Sequence, residues 1–438
     1  MTNVGLRLAT VAAVVLLASP HWAPPAFAVT PPAIDNSLLP PPAPPAPPQP
    51  TEQREVCAVP VGSQTALSAT QLAGFDMPAI WRLTRGAGQR VAVIDTGIAA
   101  HRRLSNVIAG GDYVSAGEGT RDCDGHGTIV AGIIAAAPDP TDTTGFTGIA
   151  PEAALIAIRQ SSNKFGPLAD PSSRGFGDVA TLAMAVRTAA DMGASVINIS
   201  SIACAETTLD DRTLGAALSY AVDVKDAVVV AAAGNVGGDG QCPRQNTATQ
   251  PTVIASPAWY DDYVLTVASI DSAGAPSEFS LHGPWVDAAA PGEHVVSLDP
   301  DGDGVIDTMP TPIGTASIAG TSYAAPLVSG LAALIRARFP RLSARQVMAR
   351  IETSAHHPAG GWNTAVGAGV VDPLAALSDH TVSPSPLEPQ PRGPAVPADP
   401  VRDRPHGIAA TSAALCVAGL IAAASVRLRR RPEDVPAD

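Results

Sequence analysis

The stretch Gly320-Thr-Ser-Tyr-Ala-Ala-Pro326 decides how this chain is read. It sets Ser322 just after a glycine turn, at the start of a small-residue run, Ser322–Phe339, that predicts a long helix. A hydroxyl there is exposed at a turn, and the helix N-terminus stabilises negative charge that develops beside it. A serine N-cap is the plainer reading, but a cap needs far less than this seven-residue pattern. Two segments upstream supply the partners that a nucleophilic serine requires. Val93-Ile-Asp-Thr-Gly97 offers a carboxylate, and Gly125-His-Gly-Thr128 offers an imidazole. In the chain order Asp95, His126, Ser322, one group orients the next and the imidazole takes the serine proton.

Each motif has a competing meaning. Asp-Thr-Gly also occurs in aspartic peptidases, which need two carboxylates sharing one proton. This chain has no second Asp-Thr-Gly or Asp-Ser-Gly, since Asp271-Ser-Ala273 lacks the glycine. A homodimer would supply the second copy, but the length and the other motifs argue against it. Taken alone, Asp95 reads as a turn cap. His126 reads alone as a capping or surface histidine, yet of nine histidines it is the one set between two glycines. No His-Glu-x-x-His is present to support zinc hydrolysis. Asn235 ends Val228-Val-Val-Ala-Ala-Ala-Gly-Asn235, an apolar run closed by a turn. Its amide and the Ser322 backbone N–H are the candidate oxyanion donors; without the other motifs it is a turn asparagine.

Outward from these motifs, apolar runs alternate with helical patterns. Strands are expected at Arg90–Ile94, Ala154–Arg159, Ser195–Ser200, Ala227–Ala232 and Tyr263–Ser269. Helices are expected at Thr128–Ala137, Asp178–Met192 and Leu214–Val224. Apolar strands alternating with helices imply an α/β fold whose parallel sheet is covered on both faces. Sites in such sheets form at the carboxyl ends of the strands, where Asp95 and Asn235 fall.

The chain of 438 residues carries 46% apolar and 15% charged residues, ample for one large core. A net charge of −13, with no basic patch in the globular part, excludes a nucleic-acid role. The ends read differently from the middle. Residues 1–28 resemble a secretory signal, with Arg7, the apolar Leu8–Ala18 and the small-residue site Ala26-Phe-Ala28. Residues 29–70 form a Pro-rich arm, extended over 31–50 and too poor in apolar residues for a core of its own. The folded domain is expected over 71–378, followed by a Pro-rich linker over 379–406. Gly407–Val426 is uncharged and apolar, about the 20 residues that a transmembrane helix needs. The basic tail 427–438 then faces the cytoplasm, and the domain lies outside.

Of five cysteines, Cys416 falls in the apolar segment. The other four lie on the side where disulfides persist, and four cysteines allow three pairings. Cys204 and Cys242 each follow the end of a neighbouring expected strand, which favours Cys204–Cys242 and leaves Cys57–Cys123. A metal site is the alternative, without a Cys-x-x-Cys spacing to support it. Asp299-x-Asp301-x-Asp303-Gly304 begins like a calcium loop, but Pro310 stands at the twelfth position in place of Glu. It reads as an acidic surface loop, with a weak calcium site as the alternative.

Together and in order, these motifs resemble the subtilisin (subtilase) family over about residues 75–375. Gly148-Ile-Ala-Pro151 is similar to the family's strand entry after the histidine helix. Val196-Ile-Asn-Ile-Ser200 resembles the edge strand along which substrate lies. Ala231-Ala-Ala-Gly-Asn235 resembles the S1 wall and the oxyanion asparagine, and Ala289-Ala-Pro-Gly292 a family turn. The resemblance implies a three-layer subtilisin-like fold and substrate contacts at Ser200, Ser201, Ala231, Ala232, Ala233 and Gly234. Some members of the family bind structural calcium, but no metal ligand and no cofactor is carried over to this chain. The signal, the cysteine-bearing arm, the tether, the anchor and the basic tail are together similar to the mycosins, membrane-anchored subtilases of type VII (ESX) secretion systems. That likeness implies a protease on the extracytoplasmic side of the membrane. Its partners are the ESX membrane complex, and its substrates are proteins exported by that system. In the family the arm wraps the domain and is pinned by a disulfide, which fits Cys57–Cys123. A protease-shaped scaffold of the secretion complex is the rival reading.

Overall fold

The computed structural model describes residues 29–60, 71–142, 144–207, 209–237, 242–247, 251–311 and 314–379, all within one compact unit. The chain runs through β1 (Thr51–Gln53), α1 (Met77–Leu83), β2 (Arg90–Asp95), β3 (Val107–Asp112) and α2 (His126–Ala135). Then come β4 (Ala154–Arg159), β5 (Phe165–Pro167), α3 (Val179–Asp191), β6 (Val196–Ile199) and β7 (Ala203–Ala205). Helix α4 (Arg212–Ser219) continues into a π turn (Tyr220–Val224), where the sequence predicts one unbroken helix. β8 (Val228–Ala232), β9 (Ile254–Ser256), β10 (Leu265–Ile270) and β11 (Ala288–Pro291) follow. The remainder holds β12 (Ser297–Leu298), β13 (Val305–Ile306), β14 (Thr308–Thr311), β15 (Gly314–Ser317), α5 (Thr321–Arg338), α6 (Ala344–Ser354) and α7 (Pro373–Ala376).

Seven strands form the central sheet in the order β11-β10-β8-β6-β2-β4-β3, every pairing parallel. Val91–Ile94 and Val228–Val230 are fully buried, because helices cover both faces of the sheet and leave no polar side for alternation. One layer pairs α2 with α5, the other α3 with α4. From β2 the chain fills β3 and β4 on one side, then crosses to β6, β8, β10 and β11 on the other. That reversal opens a crevice at the carboxyl ends of β2 and β6.

Two expectations change here. Val196–Ile199 is no edge strand: β6 lies inside the sheet between β2 and β8, and only its continuation from Ser200 reaches the surface crevice. Ala288–Pro291 is an edge strand of the sheet and not a turn, since its alanines pair in register with Val267, Ala268 and Ser269. The Asp299–Gly304 loop joins β12 to β13, with the His101 ring 3.3 Å from the Gly304 carbonyl. Among the described residues no group of three His, Cys, Asp or Glu side chains is placed to hold a metal.

The arm is laid onto the domain. β1 pairs antiparallel with β5, Arg187 donates to the Pro40 carbonyl at 3.0 Å, and Cys57 is disulfide-bonded to Cys123. A second disulfide joins Cys204 to Cys242, tying together the segments that leave β6 and β8. No helix among the described residues is long and apolar enough to cross a membrane. The expected signal, anchor and tail lie outside the described residues, as do the linker beyond Asp379 and arm residues 61–70.

Candidate active site

Asp95 ends β2, His126 opens α2, and Ser322 is the second residue of α5. The three side chains meet at the mouth of the crevice. Asp95 Oδ1 lies 2.7 Å from His126 Nδ1, and His126 Nε2 lies 2.9 Å from Ser322 Oγ. Asp95 is buried behind the ring, and its Oδ1 also accepts the Thr96 N–H at 2.7 Å. A carboxylate on Nδ1 fixes the proton there, so Nε2 presents its lone pair to the serine hydroxyl. Burial pushes the His126 imidazolium towards deprotonation. The Asp95 carboxylate outweighs this, with smaller help from Asp122 and Asp124, and holds the pKa above the ordinary 6.5.

The histidine is held from beneath. Asp122 accepts the N–H groups of Gly125 (2.8 Å) and Thr128 (2.8 Å) and the hydroxyls of Thr96 (2.8 Å) and Thr128 (2.7 Å). Thr96 Oγ1 in turn accepts the Gly127 N–H at 2.9 Å. Any Cβ at Gly127 would fall 2.0 Å from the Gly97 carbonyl oxygen, so only glycine allows α2 to start this close to Asp95. Burial raises the Asp122 carboxyl above its ordinary range, although the Thr128 and Thr96 bonds pull it down.

The serine is held by a second set of bonds. Pro326 stands four residues after Ser322 and has no N–H, so the Ser322 carbonyl is left without a helical partner. Ser200 Oγ fills that vacancy at 3.0 Å. Asn198 Nδ2 donates to Ser200 at 2.9 Å, and Asn198 Oδ1 accepts from Ser329 at 2.8 Å, binding β6 to α5. The Tyr323 ring lies 5.0 Å from the His126 ring and closes one side.

Asn235 follows β8. Its Oδ1 accepts both the Thr321 N–H (3.0 Å) and the Thr321 hydroxyl (2.9 Å), which leaves Nδ2 as the donor facing the cleft. A Cβ on Gly320 (φ 155°) would lie 3.2 Å from Ser322 Oγ and 3.3 Å from Asn235 Nδ2. The hydroxyl and the amide thus flank one small space, open because residue 320 has no side chain.

A cleft of about 820 Å³ runs past these groups. Of the residues singled out from the sequence, Ser200, Ser201, Gly234 and Asn235 line it. Ala231, Ala232 and Ala233 do not. They are fully or almost fully buried; Ala231 and Ala232 pair with Thr266 and Val267 of β10, and Ala233 N–H is bonded to Val267. Sequence reasoning missed Met309 and Pro310 of β14, and most of the segment 160–178, as walls of the cleft. It also missed the supporting roles of Asp122 and Thr321. Asp122 stands four residues before His126, and Thr321 adjoins Ser322, so proximity to the motifs was the available signal.

Residues 86–369 match the Subtilase family. The chain is 57% identical to Mycosin-4 of Mycobacterium tuberculosis over 98% of this chain and 97% of that protein. Its fold is similar to that of the MycP3 protease from the type VII (ESX-3) secretion system, with a TM-score of 0.74 at 45% identity, covering 80% of this chain and all of that one. A chain in the structure of an intact ESX-5 inner membrane complex gives a TM-score of 0.75 at 40% identity, covering 92% of this chain and 100% of that one. The chain belongs to the subtilase family of serine endopeptidases and, within it, to the mycosins.

Proposed function

We propose that this endopeptidase cleaves proteins exported by a type VII secretion system, through an acyl-enzyme formed on Ser322. The carrying observation is the unbroken relay from Asp95 through His126 to Ser322, with the Asn235 amide turned towards the same space. His126 Nε2 takes the hydroxyl proton as Ser322 Oγ attacks the scissile carbonyl. The oxyanion is met by Asn235 Nδ2–H and the Ser322 N–H, and one such donor lowers the barrier by roughly 3–4 kcal/mol. The imidazolium, steadied by Asp95, then gives its proton to the leaving amine. A water, deprotonated in the same way, releases the acyl group and restores Ser322. The likeness to a chain of the ESX-5 inner membrane complex supports a place beside the secretion machine. The apolar Gly407–Val426 and the arginines after it support an anchor with the protease on the extracytoplasmic side.

The same likeness favours a second reading, in which the protein stabilises the membrane complex and proteolysis is secondary. Cells carrying Ser322→Ala are compared with cells lacking the gene, by following exported proteins and their processed forms. An endopeptidase role predicts that Ser322→Ala abolishes processing. If processing is unchanged in Ser322→Ala cells, the proteolytic reading fails. If secretion survives Ser322→Ala and is lost on deletion, assembly of the complex is the second role.

A further inference from the structure

Besides His126, the charged side chains lining the cleft are Asp95, Asp124, Asp178, Lys164 and Arg174. All three carboxylates are already committed. Asp95 holds His126. Asp124 accepts the Ser162 hydroxyl at 2.5 Å and the Asn163 N–H at 2.7 Å. Asp178 caps α3 through the Thr181 N–H at 2.7 Å. The charges left to meet a ligand are both positive, although the chain as a whole is strongly acidic. Arg174 is exposed and makes no hydrogen bond or ion pair among the described residues. Among the described residues Lys164 makes one ion pair, with Glu55 of the arm at 2.8 Å. That carboxylate is 58% exposed. Lys164 holds the Glu55 carboxyl below its ordinary range, and Arg174 adds a smaller pull, so the two cations share one neighbourhood.

The wall that carries both cations is fixed by the arm. The Arg54 guanidinium donates to the carbonyls of Ser173 (2.7 Å), Asp170 (2.9 Å) and Pro167. The Arg54 N–H also bonds the Lys164 carbonyl at 2.8 Å. Four contacts from one residue hold both ends of the 164–173 backbone in place, so the segment that carries Lys164 and leads into Arg174 is held before a ligand arrives.

We propose that Lys164 and Arg174 form a subsite for an acidic side chain of the substrate, with Glu55 resting in it as an internal stand-in. The proposal rests on the endopeptidase reading only for the occupant being a peptide. A carboxylate on the bound chain meets Arg174 directly and competes with Glu55 for Lys164. Arg54 is the positioning residue of this subsite.

Alanine-based decapeptides carrying one Glu at successive positions, each with a Gln twin, are titrated by fluorescence anisotropy against the full-length Ser322→Ala chain. At one position Glu is expected to bind about two- to five-fold more tightly than Gln, the scale of a partly exposed ion pair. The preference shrinks as salt is raised. It falls to parity when Arg174→Gln is added and grows when Glu55→Gln frees Lys164. Equal binding of the twins at every position overturns the proposal. So does a Glu preference that survives both Arg174→Gln and Lys164→Gln, or no measurable binding of any peptide. The readout is binding in the absence of the nucleophile, so a failure of the acyl-enzyme mechanism would register elsewhere, as a wild-type Ser322 that does not react.

Discussion

Asn235 cannot turn its amide around, because Thr321 donates twice to its oxygen. The nitrogen is therefore aimed at the cleft before any substrate binds, and no reorganisation is needed as charge develops on the carbonyl oxygen. Asn235→Ala is expected to lower kcat about 10²- to 10³-fold with little change in KM, read from steady-state hydrolysis of a peptide. A rise in KM with kcat unchanged would mean that the amide binds the ground state as strongly as the transition state. In the proposed mechanism His126 sets the pH dependence. It acts as a base only when neutral, and its pKa is raised above 6.5, chiefly by Asp95 against the opposing effect of burial. The acid limb of kcat/KM should therefore have its midpoint above 6.5, with activity lost as pH falls through it. A midpoint below 6.5 would show that burial wins over the carboxylate. The principal residues were legible in the sequence, since glycines and small residues mark where a backbone must come close. Ser200 was read as a substrate contact, and it does line the cleft. Its hydroxyl also donates to the Ser322 carbonyl, a role that appears only once Pro326 is seen to withhold an N–H.

At the scale of elements, the interior strands were the most legible. β2, β4, β6 and β8 are dominated by apolar residues on both faces, Asn198 of β6 being the interior exception, a pattern suited to a sheet covered on both faces. β3 was missed because Val107-Ile-Ala-Gly-Gly-Asp112 carries two glycines and bulges at its edge position. β11 was missed because alanines ended by proline carry no strand signature without the neighbour they pair with. The Pro-rich arm reads as an extended segment, and its conformation over 39–50 is free of helix and strand. What the sequence could not reveal is its docking. That depends on Arg54 collecting carbonyls from a loop more than a hundred residues away, a pattern with no periodicity.

For the whole molecule, the sheet's reversal at β2 brings Asp95, Ser200 and Asn235 to one end, and α5 delivers Ser322 into their midst. The described part of the arm borders this cleft through Gln49 and Ala58. Among the described residues, no arm side chain hydrogen-bonds to Asp95, His126, Ser322 or Asn235. The full-length chain, arm attached, is therefore expected to hold an assembled site that a small electrophile can reach. The most direct test is to treat it with a fluorophosphonate probe beside Ser322→Ala and His126→Ala, and to map the adduct by mass spectrometry. The account predicts a single adduct on Ser322 of the wild type and none on either variant. A folded wild-type chain that stays unlabelled, or labelling that persists without Ser322, would contradict it.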